Sequence, residues 1–168
     1  MTELWHVSED PPIEVFHPHH HELHELDEPL VWAVDTRYWW LYWFPRECPR
    51  ACFNAKEDTT DTDVDRWLDG DRARRVSVIE CDWLERFRSA RVFAYQLPPD
   101  TFEPWDKFFV SRETVVPLEV VELGDLLARH AEAGNELRIA PSLYPLWDQV
   151  IETTLDFSGI RLRNAVRR

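Results

Sequence analysis

Two groups of residues that could do chemistry stand at the ends of strand-like runs. His6 and Ser8 close an apolar run near the N-terminus, where an imidazole and a hydroxyl can hydrogen-bond a small ligand. Ser111, Arg112 and Glu113 follow a later apolar run, and together they can position a ribose, a phosphate or an attacking group. The alternative for this triplet is an ordinary turn between strands. We predict that the two groups converge at one pocket.

Two further arginines, Arg46 and Arg50, lie in a proline-bounded turn that follows an aromatic run at 38–44. The planar guanidinium group binds phosphates and carboxylates through paired hydrogen bonds. The turn therefore predicts an anion contact, and the alternative is that both arginines pair with the chain's own carboxylates. The other basic group of the chain is predicted to be a solvated end: Arg161, Arg163, Arg167 and Arg168.

The segment at 17–25 holds five histidines and two glutamates, a density that can bind zinc or nickel. A structural metal site needs fixed geometry, however, and Pro18 with its polar flanks favours an irregular loop. We predict an exposed histidine-rich loop at 17–27 without a stoichiometric zinc site. Cys48 and Cys52 have a C-x-x-x-C spacing but no second pair, so the three cysteines are predicted to be reduced thiols.

The composition limits the class of molecule. With 168 residues, 44% of them hydrophobic, the chain can bury a sizeable core. A formal net charge of −13 repels nucleic acid, and the sequence shows neither a membrane span nor a signal-like start, so we expect a cytoplasmic protein. The chain has 4 glycines and no G-x-S-x-G motif, which argues against a glycine-rich phosphate loop and an α/β-hydrolase.

The elements that must position these residues follow from hydrophobic periodicity. Helices are predicted for the aromatic run, capped by Thr36 and ended by Pro45, and after Asp82; the aromatic run also suits a strand. Further helices are predicted around Leu126, Leu127 and His130, ending at Gly134, and at 143–155. An acidic loop, expected to be mobile, is predicted at 55–73. Strands are predicted at 3–8, 30–34, 51–54, 76–79, 92–95, 108–110, 115–121 and 137–139.

This pattern has no regular alternation of strands and helices, and it contains no repeat or linker. It predicts a single α+β domain over residues 1–168, with a small, bent or split mixed sheet and flanking helices.

Several short sequence motifs along the chain resemble those of a family of small uncharacterised bacterial proteins, classed as a domain of unknown function. The resemblance covers nearly the whole chain, and the histidine-rich loop and the segment at 55–73 depart from it. It supplies no function. The matching motifs lie at 5–9, 31–35, 45–50, 110–113, 116–117, 141–143, 157–158 and 160–165.

The order of the first two strands resembles that of ADP-ribosyltransferase-like domains, in which a strand with an aromatic-histidine pair precedes a second strand and an aromatic helix. This resemblance implies NAD as cofactor, with His6 binding the ribose and Tyr38 or Trp39 stacking on the nicotinamide. A glutamate on a late strand belongs to the same pattern. Glu113 follows such a strand, which implies that it is the catalytic acid or base.

The sequence therefore predicts a protein that binds NAD or another nucleotide in a cleft, with Arg46, Arg50 or Arg112 at the phosphates and ADP-ribosyl-type transfer as the implied chemistry. Two alternatives stay open. The aromatic run at 38–44 suits a non-catalytic module that docks a protein partner, and the histidine-rich loop suits a metal-binding protein.

Overall fold

The computed structural model describes residues 2–9, 12–20 and 28–167, and it has the predicted α+β class. The helices are α1 (Asp61–Leu68), α2 (Leu84–Ser89), α3 (Leu126–Glu132) and α4 (Tyr144–Val150). The strands are β1 (Leu4–Ser8), β2 (Val31–Asp35), β3 (Arg50–Asn54), β4 (Arg75–Glu80), β5 (Phe93–Leu97), β6 (Glu103–Trp105), β7 (Phe108–Ser111), β8 (Glu119–Glu122), β9 (Asn135–Ala140) and β10 (Asp156–Ile160).

The chain divides into two compact units, each with its own sheet. The first unit comprises Met1–Trp43 and Arg91–Gly124, and the second comprises Phe44–Ala90 and Asp125–Arg168. The prediction that residues 1–168 form one domain stays a prediction. None of the helices in the described ranges is long and apolar enough to cross a membrane.

The first unit contains a six-stranded antiparallel sheet in the order β6-β7-β2-β1-β5-β8. Its central strands are strongly apolar because side chains on both of their faces are buried. Residues from several strands form the core together with Phe16, which pairs with Val115 through an isolated bridge. The core includes Leu4, Val31, Ala33, Tyr95 and Leu97.

The second unit contains a four-stranded sheet in the order β10-β3-β4-β9, in which β4 and β9 run parallel and the other pairs are antiparallel. The helix α1 contributes Val64, Trp67 and Leu68 to its core, where they meet Phe53 and Val78 of the sheet. The sheet is therefore mixed, as predicted, and it packs against the hydrophobic core of the second unit.

Seven of the predicted strands are confirmed; they correspond to β1, β2, β3, β4, β5, β7 and β9. The strand predicted at 115–121 is shorter, because only Glu119–Glu122 joins the sheet. Pro117 has no backbone N–H to donate, and it separates the isolated bridge at Val115 from this strand.

The predicted acidic loop at 55–73 is wrong for residues 61–68, which form α1. Thr60 is the N-cap residue, and its hydroxyl accepts a hydrogen bond from the backbone N–H of Asp63. Acidic residues in the first turn favour the helix because they face its positive end. The abundance of aspartates marks the start of a helix here.

The predicted aromatic helix is only a 3-10 turn, Trp39–Tyr42, and Thr36 is not its cap. Asp35 fixes the chain before the turn, since its carboxylate accepts a hydrogen bond from the Arg37 backbone N–H at 3.0 Å. Trp40 and Leu41 are buried, whereas Tyr38 and Trp39 are half-buried. Much of the aromatic run is therefore core and does not present a docking face.

Two further helix predictions need correction at their ends. A 3-10 turn, Cys81–Trp83, precedes α2, so Trp83 and not Asp82 occupies its N-cap position. In α3, Leu126 and His130 are buried as predicted, but Leu127 is exposed.

The helix predicted at 143–155 ends at Val150, and β10 follows it. The Thr153 hydroxyl donates to the Val150 carbonyl at 2.6 Å, which ends the helix in a turn. The half-buried β10 contains Gly159, where an added Cβ would lie 2.7 Å from the Trp147 ring. Close packing thus requires glycine at this position, and this glycine weakened the sequence signal for a strand.

Candidate functional site

His6 lies where the pairing of β1 with β2 stops. The two strands pair at Leu4 and Trp5, and beyond them the His6 Nδ1 atom lies 2.9 Å from the Trp32 carbonyl oxygen. A carbonyl oxygen only accepts, so this contact assigns the imidazole hydrogen to Nδ1. The ring also packs on Phe16, with centroids 4.8 Å apart. His6 therefore links β1 to β2 beyond the point at which their backbone pairing ends.

Ser8 and Ser111 are both buried, and strand order places them at the same end of the first sheet. The antiparallel pairs bring the end of β1 and the end of β7 to the start of β2, where Val31 faces Ser111. The Ser111 hydroxyl lies 2.8 Å from that of Thr101 and accepts a hydrogen bond from the Glu113 backbone N–H. Ser111 therefore shapes the turn that carries the predicted catalytic Glu113.

Arg112 lies between two carboxylates. Its Nε and Nη2 atoms donate to Glu28 at 2.9 and 2.8 Å, and its Nη1 atom donates to Glu103. The hydrogen bonds that Arg112 donates to Glu28 and Glu103, and the negative charges of these two carboxylates, raise the pKa of Arg112 far above its ordinary value. These three side chains carry more negative than positive charge, so the group, which we call the Arg112 triad, does not favour a phosphate.

Tyr38 follows β2 and therefore lies at the opposite end of that strand from Ser111. The Arg37 and Lys107 cations lie 5.2 and 5.5 Å from the centre of its ring. Trp39, the other candidate for nicotinamide stacking, packs on the Trp5 ring at 4.9 Å. The predicted ligand contacts of the first unit are consequently divided between the two ends of its sheet.

Arg50 is buried in the second unit, and the structure shows it supporting the fold. Its Nη1 atom donates to the Cys48 carbonyl at 2.9 Å, and its guanidinium lies 4.8 Å above the Phe44 ring. Nearby, burial raises the pKa of the Cys52 thiol. Cys48 and Cys52 are buried free thiols, as expected for reduced cysteines, and Cys81 is exposed.

Arg46 has a different environment, because it belongs to a group of charged residues around Glu47. The Glu47 carboxylate accepts from Asn164 Nδ2 at 3.0 Å and lies 3.6 Å from Arg161 and 3.5 Å from Arg163. The Asn164 hydrogen bond lowers the pKa of Glu47, and the charges of Arg161, Arg163 and Arg46 lower it further. We call these five residues the Glu47 cluster.

Sheet pairing explains how the Glu47 cluster forms. In the antiparallel pair of β10 with β3, Ile160 faces Arg50, so the residues before β3 and after β10 lie at one end of the sheet. The Arg161 side chain donates to the Arg46 carbonyl at 3.3 Å, and Asn164 donates to the Glu47 carbonyl at 2.8 Å. These bonds join two segments that lie more than a hundred residues apart in sequence.

The prediction of a solvated arginine end is wrong for Arg161, whose side chain is 19% exposed. Sequence reasoning proposed Arg46 as an anion contact but missed the two arginines that approach the same carboxylate. The only signal was the spacing of Arg161 and Arg163 directly after an extended run, and that signal becomes meaningful only once β3 and β10 are paired.

The histidine-rich loop lies only partly within the described residues. His17 Nδ1 is 3.4 Å from the Thr114 hydroxyl, and His19 Nδ1 is 3.3 Å from the His17 carbonyl. Residues 21–27 of this loop, which include His21 and His24, lie outside the described residues. Within the described part of the chain, no three His, Cys, Asp or Glu side chains are placed to hold a metal ion. The expectation that this loop holds no stoichiometric zinc stays a prediction.

Comparison with known proteins gives one match. A family model, described as a family of unknown function (DUF6886), matches residues 5–165. No curated protein and no solved structure matches the chain. The resemblance to a family of unknown function is therefore confirmed, whereas the resemblance to ADP-ribosyltransferase-like domains finds no support in these comparisons.

Proposed function

This chain belongs to the DUF6886 family, whose function is unknown, and we propose that it binds a phosphate-bearing small molecule at the Glu47 cluster. One observation carries the proposal: Arg161 and Arg163 both lie within 3.6 Å of a single carboxylate, on which the charge of Arg46 also acts, in a chain with a formal net charge of −13. Carboxylates outnumber cations in the chain as a whole, so an arginine is expected to lie among more carboxylates than cations. In the Glu47 cluster, cations outnumber carboxylates.

The charges of the named groups match a phosphate. Arg161 and Arg163 contact one carboxylate and leave a local surplus of positive charge, to which Arg46 adds, and this surplus attracts a phosphate. Glu47 itself shows that the side chains around it can bind an oxyanion, since Asn164, Arg161 and Arg163 all approach its oxygens. The Glu47 and Arg163 side chains are each 48% exposed, so a second anion can reach them from solvent.

Binding through this cluster is expected to be weak and short-ranged. The negative charge of the whole chain opposes an approaching anion, and screening limits each charge to about 8 Å at physiological salt. The phosphates of a nucleotide, NAD among them, fit this chemistry. The proposal retains Arg46 as a phosphate contact and includes no transfer step.

Calorimetry at physiological salt tests the proposal, with inorganic pyrophosphate, ADP-ribose and NAD as separate ligands. We expect dissociation constants of about millimolar size, because few surface contacts contribute. Equal affinity for pyrophosphate and ADP-ribose would assign recognition to the phosphates alone, and tighter ADP-ribose binding would add a contribution from the nucleoside.

Arg163→Ala should weaken binding by about tenfold, the effect of losing one charged contact. Arg88→Ala is the matched control, since Arg88 is an exposed arginine of the same unit at the end of α2. Absence of binding by all three ligands at about ten times the expected dissociation constant would refute the proposal. So would equal affinities of the two variants.

A further inference from the structure

The strand β8 forms one edge of the first sheet. It is the last strand in the order β6-β7-β2-β1-β5-β8, and no strand of the described residues pairs with its outer side. An open edge presents backbone donors and acceptors to which another extended chain can add.

The register identifies which backbone groups point outward. The Leu123 N–H donates to the Val92 carbonyl at 2.8 Å, so residue 123 faces β5. Backbone groups of an antiparallel strand alternate in direction, and counting back by two places Val121 and Glu119 toward β5 as well. The N–H and carbonyl groups of Val120 and Glu122 therefore point away from the sheet.

Large apolar side chains are concentrated along this edge. Val116, Leu118 and Val120 are 60%, 64% and 41% exposed, and they alternate within five residues. Two of the three exceed every other large hydrophobic side chain of the described residues in exposure. Alternate exposed apolar residues beside an open backbone edge are the features that strand addition uses.

Charge indicates which partner suits this edge. The sequence from 113 to 122 contains three glutamates and no basic residue. Arg91 pairs with Glu122 through two hydrogen bonds, so Glu113 and Glu119 give this edge its acidic character. Pairing with a second copy is disfavoured, because each copy carries a formal net charge of −13 and like charges repel.

We propose that the β8 edge binds an extended basic segment of another protein, in which lysine or arginine alternates with apolar residues. This interaction goes beyond the proposed anion binding and uses the other unit of the chain. The added strand would bond to the outward backbone groups of Val120 and Glu122, its apolar residues would cover Leu118 and Val120, and its cations would meet Glu119.

The probe is a synthetic peptide of alternating lysine and valine, and a peptide of alternating lysine and glycine matches its charge. Amide hydrogen exchange of the full chain is followed by nuclear magnetic resonance. We expect the lysine–valine peptide to slow exchange at Val120 and Glu122 by about tenfold, as occupancy of nine-tenths would produce. The lysine–glycine peptide should have little effect.

Two variants and one control test the edge itself. Leu118→Gln removes an apolar contact, and Val120→Pro removes an outward N–H without removing a bond to β5. Either change should abolish most of the protection, whereas Leu127→Gln, on an exposed leucine of α3, should leave it intact. If Val120→Pro does not fold, Leu118→Gln decides the matter.

Three results would overturn the proposal. Unchanged exchange with the lysine–valine peptide would show that the edge does not accept this class of partner. Equal protection by both peptides would show attraction by charge alone. Protection of Val120 and Glu122 that grows with protein concentration in the absence of peptide would assign the edge to a second copy of the chain.

Discussion

The two units each hold an exposed group of charged side chains, and the two groups have opposite compositions. In the Arg112 triad, one arginine lies between Glu28 and Glu103. In the Glu47 cluster, one carboxylate lies among three arginines. Both contain arginines next to strand ends, and sequence inspection proposed a phosphate contact in each.

The comparison shows that an arginine's availability depends on the groups around it. The Arg112 guanidinium already makes paired bonds to one carboxylate and a further bond to another, so no charge remains to attract a ligand. In the Glu47 cluster the single carboxylate is shared, and a surplus of positive charge remains. The negative partners of each arginine therefore decide its role.

The largest test of this difference removes the shared carboxylate. Glu47→Gln should increase pyrophosphate affinity about tenfold, because it removes the nearest negative charge and keeps a side chain that Asn164 can still bond. Calorimetry measures the change. A lower affinity in this variant would mean that Glu47 organises the arginines more than it competes with the ligand. The difference in charge balance between the Glu47 cluster and the Arg112 triad would then not explain anion binding.

A smaller effect is expected when the same operation is applied to the Arg112 triad. The double change of Glu28→Gln and Glu103→Gln exposes only one guanidinium, so pyrophosphate binding should rise by at most about threefold. The same titration series provides the measurement. If this double variant bound pyrophosphate as tightly as Glu47→Gln, one free arginine would suffice, and clustering would not explain the site.

The smallest effect concerns stability and pH. The pKa of Glu47 is lowered from its ordinary value of 4.5, chiefly by the Asn164 hydrogen bond. A lowered carboxylate pKa stabilises the fold above the unfolded-state value, and this contribution is lost as the pH falls through the folded-state value. The contribution should be below about 1 kcal/mol, since the Glu47 side chain is largely solvated.

Thermal unfolding from pH 7 down to acid pH, run in parallel on the parent chain and on Glu47→Gln, isolates this contribution. The advantage of the parent chain should be constant near neutral pH and disappear below the ordinary carboxylate range. An advantage that persists at the acid end would show that the charge of Glu47 contributes nothing to stability.

Sequence patterns predicted the strands better than they predicted the helices. The apolar runs that became β2 and β4 are buried on both faces, and such runs are visible without knowledge of the partner strands. The helix α1 was missed because its aspartates suggested a solvated loop. Its apolar positions Val64, Trp67 and Leu68 do follow helical spacing, and Thr60 is a favourable N-cap residue.

One of the five residues of the candidate site, Arg46, was accessible from sequence in the same way. Arg46 lies in a proline-bounded turn, which is a local feature. Its partners come from the other end of the second unit, and only the pairing of β3 with β10 brings them near. A register between distant strands depends on packing and leaves no mark in either segment alone, so Arg161 and Arg163 were assigned to a solvated tail.

At position 161 the backbone conformation favours glycine, whereas the Glu47 cluster uses the charge of an arginine. Its backbone adopts a left-handed conformation, with φ of 55°, in which glycine avoids a steric cost of about 1 kcal/mol that other residues carry. For the stability of the fold alone, glycine would therefore be preferred at position 161. A glycine, however, would remove one of the three cations and the bond to the Arg46 carbonyl. The arginine at this position therefore supplies its charge at the expense of the stability that glycine would restore.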